Sequence, residues 1–449
     1  MQIKKDLTNT LIGILSLLVF CGSFSSCMKK NESESNLIPN NTPSREITPD
    51  NTILSESEVI VDTLFDIPDN VKNWCEKYDS RFGDGMSKKS LLTAKEISSL
   101  NKRISDAAPS VYDMSDYPNS VSGREVIGLI QKYNIPSGDN YDENGDYISY
   151  DVIKSLTDNR ALSSVPETVN VKKAVIVSRC DLKSIPSDIR FFKKGDLYYD
   201  KTQETELIAS FPVAVLHESA DGKFLFVQSY FYCGWIPKNK AALCTDDEYM
   251  LFAKSSKYVT VISPEVKLGE AILNMGTVLP YVSDMEKDFI VLCPTIDNDG
   301  CLKLKKEKIS KNDAVFSSLP YTMENFYLQA FKYENTPYCW GGMGGGVDCS
   351  GFVCAVFRSF GIYLPRNTGE QAFYSGTISD IRGLSITQTE KLLDDQSYPT
   401  AMHRNGHVML YLGEENGIWY IIHAPQGGQT VSVAPVDIPG NLTVLAVIH

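Results

Sequence analysis

With 449 residues, 43% of them apolar, the chain is long enough for several domains and can bury a sizeable core. Its formal net charge of −13 argues against nucleic acid as a partner, because a polyanion would be repelled. Of the eleven cysteines, the eight other than Cys21, Cys27 and Cys349 follow no framework spacing, so no disulfides are assigned from them.

At the N-terminus, Lys4 and Lys5 precede the apolar run Leu11 to Cys21, which leads into Phe24-Ser25-Ser26-Cys27. This reads as an export signal. The run is too short for a comfortable membrane span, and no later segment qualifies as one. The small residues before Cys27 resemble a bacterial lipobox, although Phe24 stands where leucine is commoner. Cleavage would remove residues 1–26, leave a charge of −14 and expose Cys27 for lipidation. An ordinary cleaved signal or an uncleaved anchor is the plainer alternative. Residues 27–60, rich in Asn, Ser, Glu, Pro and Thr, read as a flexible tether.

Residues 61–170 predict a small helical domain, with helical spacing over Leu91 to Ile104 and Val121 to Tyr133 and a polar loop from Asp139 to Asp146. From residue 171 the pattern turns to short strands: Ala174 to Val177, Leu197 to Tyr199, Phe211 to Leu216 and Phe224 to Gln228, closed by Gly234-Trp235-Ile236-Pro237. Residues 171–247 thus resemble a bacterial SH3-like barrel. Residues 248–318 carry similarly spaced strands from Tyr258 to Ile309 and the hairpin signal Asn298-Asp299-Gly300, which predicts a second barrel.

Residues 319–449 hold the chemistry. The stretch Tyr338 to Gly351 runs a glycine-rich loop into Cys349, and Phe352, Val353, Val356, Phe357 and Phe360 then follow at helical spacing up to Gly361. Cys349 therefore falls at a helix N-terminus, where the dipole and free amides favour a thiolate. Downstream, His407 to Leu412 and Ile418 to His423 predict a hairpin. If Gly413 to Gly417 form the loop, His407 stands opposite His423, and a shorter loop slides the pair to a diagonal. Either arrangement gives a thiol, a base and an orienting group.

These blocks resemble the NlpC/p60 cell-wall cysteine peptidases: Tyr338-Cys339-Trp340-Gly341-Gly342, Asp348-Cys349-Ser350-Gly351, Gly406-His407-Val408 and His423 occur in the family's order. Cys339 and the plain run Gly344 to Gly346 are mild departures. The resemblance, which covers roughly residues 320–449, implies an α+β papain-like catalytic domain in which Cys349 is the nucleophile, His407 the base and His423 the orienter. It further implies that Tyr338 lies beside the reacting centre and that Asp348 and Ser350 help bind the free amino terminus of a stem peptide. The substrates it implies are peptidoglycan-derived peptides, cut without a cofactor. The multi-domain subgroup with SH3-like domains cuts between D-glutamate and a diamino acid.

Other readings of these residues exist. A cysteine before a helix is often simply buried packing. A zinc site from His403, His407, His423 and Cys349 is disfavoured because Asn405-Gly406 is a turn signal and not a helical spacer. No Gly-Lys-Ser/Thr follows the glycine run, so it is not a phosphate loop. The expected protein is an exported, lipid-anchored enzyme with a helical N-terminal domain, two SH3-like β-barrels and a C-terminal peptidase domain. Its rivals are a non-catalytic wall-binding lipoprotein with a relic peptidase domain, and an amidase or acyltransferase using the same triad.

Overall fold

The computed structural model describes residues 67–449; the export signal, Cys27 and the tether lie outside the described residues. Among the described residues no helix is long and apolar enough to cross a membrane. Four N-terminal helices, Asp69–Phe82, Ala94–Ala107, Gly123–Gln131 and Tyr150–Asp158, start where the sequence supplies caps for three of them. Thr93 and Glu96 form a capping box on the second, and Ser122 and Ser149 cap the third and fourth. Each helix packs on a different part of the body. The Trp74 ring lies 5.7 Å from Tyr420 near the C-terminus, and Tyr78 donates to the Ser397 carbonyl at 2.7 Å. Asn101 bonds both the Gly361 carbonyl at 2.7 Å and the Tyr363 N–H at 2.9 Å. Ile153 and Leu156 of the fourth helix join Ile185 and Phe191.

A seven-stranded antiparallel sheet follows, ordered Gln203–Leu207, Cys180–Lys183, Cys233–Pro237, Phe224–Gln228, Pro212–Glu218, Lys172–Ile176 and Ala241–Leu243. The Gly234-Trp235 close has a steric cause: a Cβ on Gly234 would sit 2.2 Å from Leu182 Cδ2. Only glycine lets these strands cross. The strand predicted at Leu197 to Tyr199 is instead part of a loop. Asp196 Oδ1 accepts the Tyr198 N–H at 2.8 Å and Gly195 takes a φ of +77°, so local turn chemistry overrides the aromatic strand preference. Two strands that the sequence reading passed over, Cys180–Lys183 and Gln203–Leu207, run beside each other in the sheet.

Residues 258–316 form a five-stranded antiparallel sheet with a separate two-stranded ribbon, Glu265–Leu268 with Ala271–Asn274. Its longest pair, Asp288–Ile296 and Leu302–Ser310, turns at the predicted hairpin signal, where Asp297 Oδ1 accepts the Asp299 N–H and Gly300 adopts a φ of +82°.

The C-terminal region packs helices on a six-stranded antiparallel sheet, ordered Thr377–Asp380, Leu442–Val447, Thr400–Arg404, His407–Glu415, Ile418–His423 and Ser432–Val436. The helix Cys349–Arg358 buries Phe352, Val353, Val356 and Phe357 completely, as their spacing predicts. The hairpin loop is shorter than five residues: Asn416 and Gly417, at φ +55° and +79°, turn the chain, and Glu415 faces Ile418. A register shift between Tyr411 and Gly413 then leaves Leu410 opposite Ile422. His407 and His423 therefore meet on a diagonal, not directly opposite.

Candidate active site

Asp348 caps the Cys349 helix by accepting the Gly351 N–H at 2.7 Å, which fixes Cys349 as the first helical residue. The thiol is buried, with Thr368 Oγ1 3.7 Å from Sγ. Val408 aims its backbone N–H at the same sulfur, so the start of the His407 strand meets the start of the helix. Burial and the Asp348 charge raise the thiol pKa, outweighing the Val408 N–H, the Thr368 hydroxyl and Arg366. Desolvation thus opposes the helix dipole and free amides that favour a thiolate.

His407 Nε2 lies 2.8 Å from His423 Nδ1. The other ring nitrogen of His407, Nδ1, is buried without a hydrogen-bond partner among the described residues. Burial first, and then the charge of His423, bring His407 down to about 3, while burial brings His423 to about 4. Both rings are neutral at pH 7. With His407 donating from Nε2 to His423, its Nδ1 keeps a lone pair free to act as a base. His403 takes no part in this pair: it is 1% exposed, and among the described residues both its ring nitrogens lack hydrogen-bond partners.

Tyr338 is buried, and its hydroxyl faces that of Tyr199, with which it interacts. Tyr199, in the loop of the seven-stranded sheet, places its ring 6.3 Å from Tyr338 and 5.7 Å from Trp340, which is itself partly exposed. Trp340 Nε1 in turn donates to the Gln203 carbonyl at 2.9 Å. One wall of the site thus comes from a different domain.

The expectation that Asp348 and Ser350 receive the substrate's amino group does not fit their bonding. The Asp348 carboxylate already accepts from Gly341 N at 3.0 Å, Gly351 N at 2.7 Å, Ser350 Oγ at 3.3 Å, and Arg366 Nη1 and Nη2 at 3.0 and 2.6 Å. Its acceptor sites are filled. Burial opposes the Asp348 charge, but the Arg366 guanidinium and the two N–H groups hold its carboxyl below the usual range. Ser350 Oγ also accepts from Arg366 Nη1 at 2.8 Å. Arg366 and Thr368 escaped the sequence reading, although Asn367, just before the helix Thr368–Tyr374, is a residue type that commonly starts helices. Tyr199 had no local signal, being far from Tyr338 in the chain.

Residues 335–442 match the NlpC/P60 family and residues 190–237 match an SH3 domain of the SH3b1 type. The chain therefore combines an NlpC/P60 domain with a bacterial SH3 domain. It is similar to a gamma-D-glutamyl-L-lysine dipeptidyl-peptidase of Bacillus cereus, 28% identical over 223 residues, which are 47% of this chain and 62% of the relative. A protein of the same name from Bacillus subtilis is 26% identical over 33% of this chain and 50% of its own length. The chain thus spans half to just over three fifths of these relatives. Among solved structures, an NlpC/P60 endopeptidase from Photobacterium damselae subsp. piscicida has a TM-score of 0.67 at 21% identity, covering 82% of this chain and 96% of that one, a likeness of fold.

Proposed function

We propose that this chain is a cysteine peptidase that hydrolyses peptidoglycan stem peptides, cutting between γ-D-glutamate and a diamino acid when the N-terminal L-alanine is free. The observation that carries the reading is the convergence of the His407–His423 pair at 2.8 Å with the Val408 N–H aimed at the Cys349 thiol. In this reading Cys349 Sγ gives its proton to His407 Nδ1 as it attacks the carbonyl carbon, while His423 accepts from His407 Nε2 and fixes the tautomer. The oxyanion is held by the Cys349 backbone N–H and the buried Tyr338 hydroxyl. His407 then protonates the leaving amine, and water releases the acyl group from the thioester. Asp348 and Ser350 act by holding Arg366 and the helix start. Tyr199, with Trp340, walls the amino-terminal end of the substrate and excludes peptides still attached to glycan.

The same reading divides the chain at residues 61–170, 171–247, 248–318 and 319–449, with residues 248–318 as a second SH3-like barrel, and places the mature protein outside the cytoplasm on a lipid at Cys27. Mass spectrometry of L-Ala-γ-D-Glu-meso-diaminopimelate incubated with the mature protein or with Cys349→Ala tests the chemistry, using free and acetylated amino termini. Release of L-Ala-D-Glu by the parent alone, and only from the free terminus, supports the reading. Cleavage of both substrates removes the amino-terminal gate, and cleavage of neither overturns the peptidase.

A further inference from the structure

The loop that carries Tyr199 is anchored at both ends, and one anchor comes from the N-terminal region. Residues 139–148 fold as a tight hairpin: Asp142 Oδ1 accepts the N–H groups of Asn144 and Asp146, both at 2.9 Å, Gly145 takes a φ of +84°, and Tyr141 bridges Tyr147. This hairpin pairs with the loop, since Tyr141 N donates to the Phe192 carbonyl at 3.0 Å and Phe192 N returns a bond at 2.8 Å. The far side of the loop is tied by Lys201, whose Nζ donates to the Asp139 carbonyl at 3.1 Å and to Asn140 Oδ1 at 2.7 Å. Asn140 is fully buried, and it donates to the Gly138 carbonyl at 2.8 Å. Phe191 seals the base against Ile148 and Ile185.

The opposite anchor is the peptidase domain. The Tyr198 ring lies on bare backbone at Gly428, where a Cβ would come within 2.7 Å of Cζ, and Tyr199 bonds to the Gly427 backbone. Tyr198 and Tyr199 are thus suspended between the hairpin and the active-site rim. Loop residues hold a geometry only as well as their supports do.

We infer that Lys201 and Asn140 are positioning residues for Tyr199: the N-terminal hairpin, through them, sets the shape of the subsite for the substrate's amino end. The inference rests on the proposed role of Tyr199 in substrate recognition and adds the device that fixes it. Free of that support, the loop would still fold on Phe191, but Tyr199 would sample positions off the subsite. The effect would fall on binding and leave the Cys349–His407 chemistry intact.

The test uses the mature full-length chain and steady-state kinetics on the free-amine tripeptide, with Tyr199→Phe, Lys201→Met, Lys201→Arg, Asn140→Ala and the Tyr199→Phe/Lys201→Met double variant, and thermal unfolding recorded for each. Lys201→Met and Asn140→Ala are expected to raise KM about 5- to 10-fold with kcat within about twofold, Lys201→Arg to recover most of the loss, and the double variant to match Tyr199→Phe. Lys201→Met and Asn140→Ala with parental KM beside an impaired Tyr199→Phe would overturn the inference and leave the subsite reading standing. Additive losses in the double variant, or a fall in kcat at unchanged KM, would overturn it too. An unimpaired Tyr199→Phe would remove the subsite reading and the inference together.

Discussion

Arg366 grips both oxygens of the Asp348 carboxylate, at 3.0 and 2.6 Å, while its Nε donates to Thr205 Oγ1 at 2.7 Å in the SH3-domain strand Gln203–Leu207. The residue that caps the nucleophile's helix is thereby tied to a neighbouring domain. Both partners are almost fully buried, so the pair keeps its strength only while complete.

Removing one member leaves a buried charge without its counterion. Arg366→Met is expected to cost roughly 3–5 kcal/mol of stability and to abolish most activity by freeing the helix start. Asp348→Asn loses the anion and is expected to cost a similar amount. Denaturant unfolding of the singles and of Arg366→Met/Asp348→Asn checks this, with the double expected to be less destabilised than the two singles combined.

His407→Ala should lower kcat by on the order of 10²–10⁴, the usual worth of a general base. His423→Ala should fall in the same range, whereas His423→Asn should retain more, because its amide oxygen can still accept from His407 Nε2. Equal losses in both His423 variants, read from kcat, would argue that the 2.8 Å contact does not orient the base.

Acid stability follows from the depressed histidines, of which His403, His407 and His423 are shifted furthest, with His217 and His449 also lowered by burial. The folded values of His403, His407 and His423, about 4, 3 and 4, lie below the ordinary 6.5. As pH falls below 6.5 the unfolded chain takes up more protons than the folded one, so stability drops toward pH 4 at up to about 1.4 kcal/mol per unit for each ring. His403→Leu removes one of these rings away from the catalytic pair. It should flatten the slope of melting temperature against pH between 6.5 and 4 while sparing kcat. An unchanged slope would show that His403 takes up its proton equally in the folded and unfolded chain.

Gly342 takes a φ of +74°, and a Cβ there would fall 2.7 Å from the Glu206 carboxylate carbon of the SH3 domain. Gly342→Ala should therefore cost about 1–3 kcal/mol from strain alone, with a further loss from the displaced Glu206. Calorimetry together with kcat/KM measures both effects. A parental melting temperature would mean that the loop can move away from the sheet at little cost.

Local patterns in the sequence determined the Cys349 helix, its apolar face, the histidine hairpin and the Gly-Trp close, since each depends on periodicity or on residues adjacent in the chain. The hairpin register needed the bulge near Tyr411 and the turn at Asn416-Gly417, and a pattern of alternating residues does not count bulges. At Leu197 to Tyr199 the aromatic strand preference masked the turn chemistry of Gly195 and Asp196. The upward push on the Cys349 thiol pKa, the saturation of Asp348 by Arg366 and the arrival of Tyr199 beside Tyr338 were decided by the tertiary structure alone. Burial sets the first through desolvation, and the other two join residues distant in the chain, which only the packing of one domain on another brings into reach.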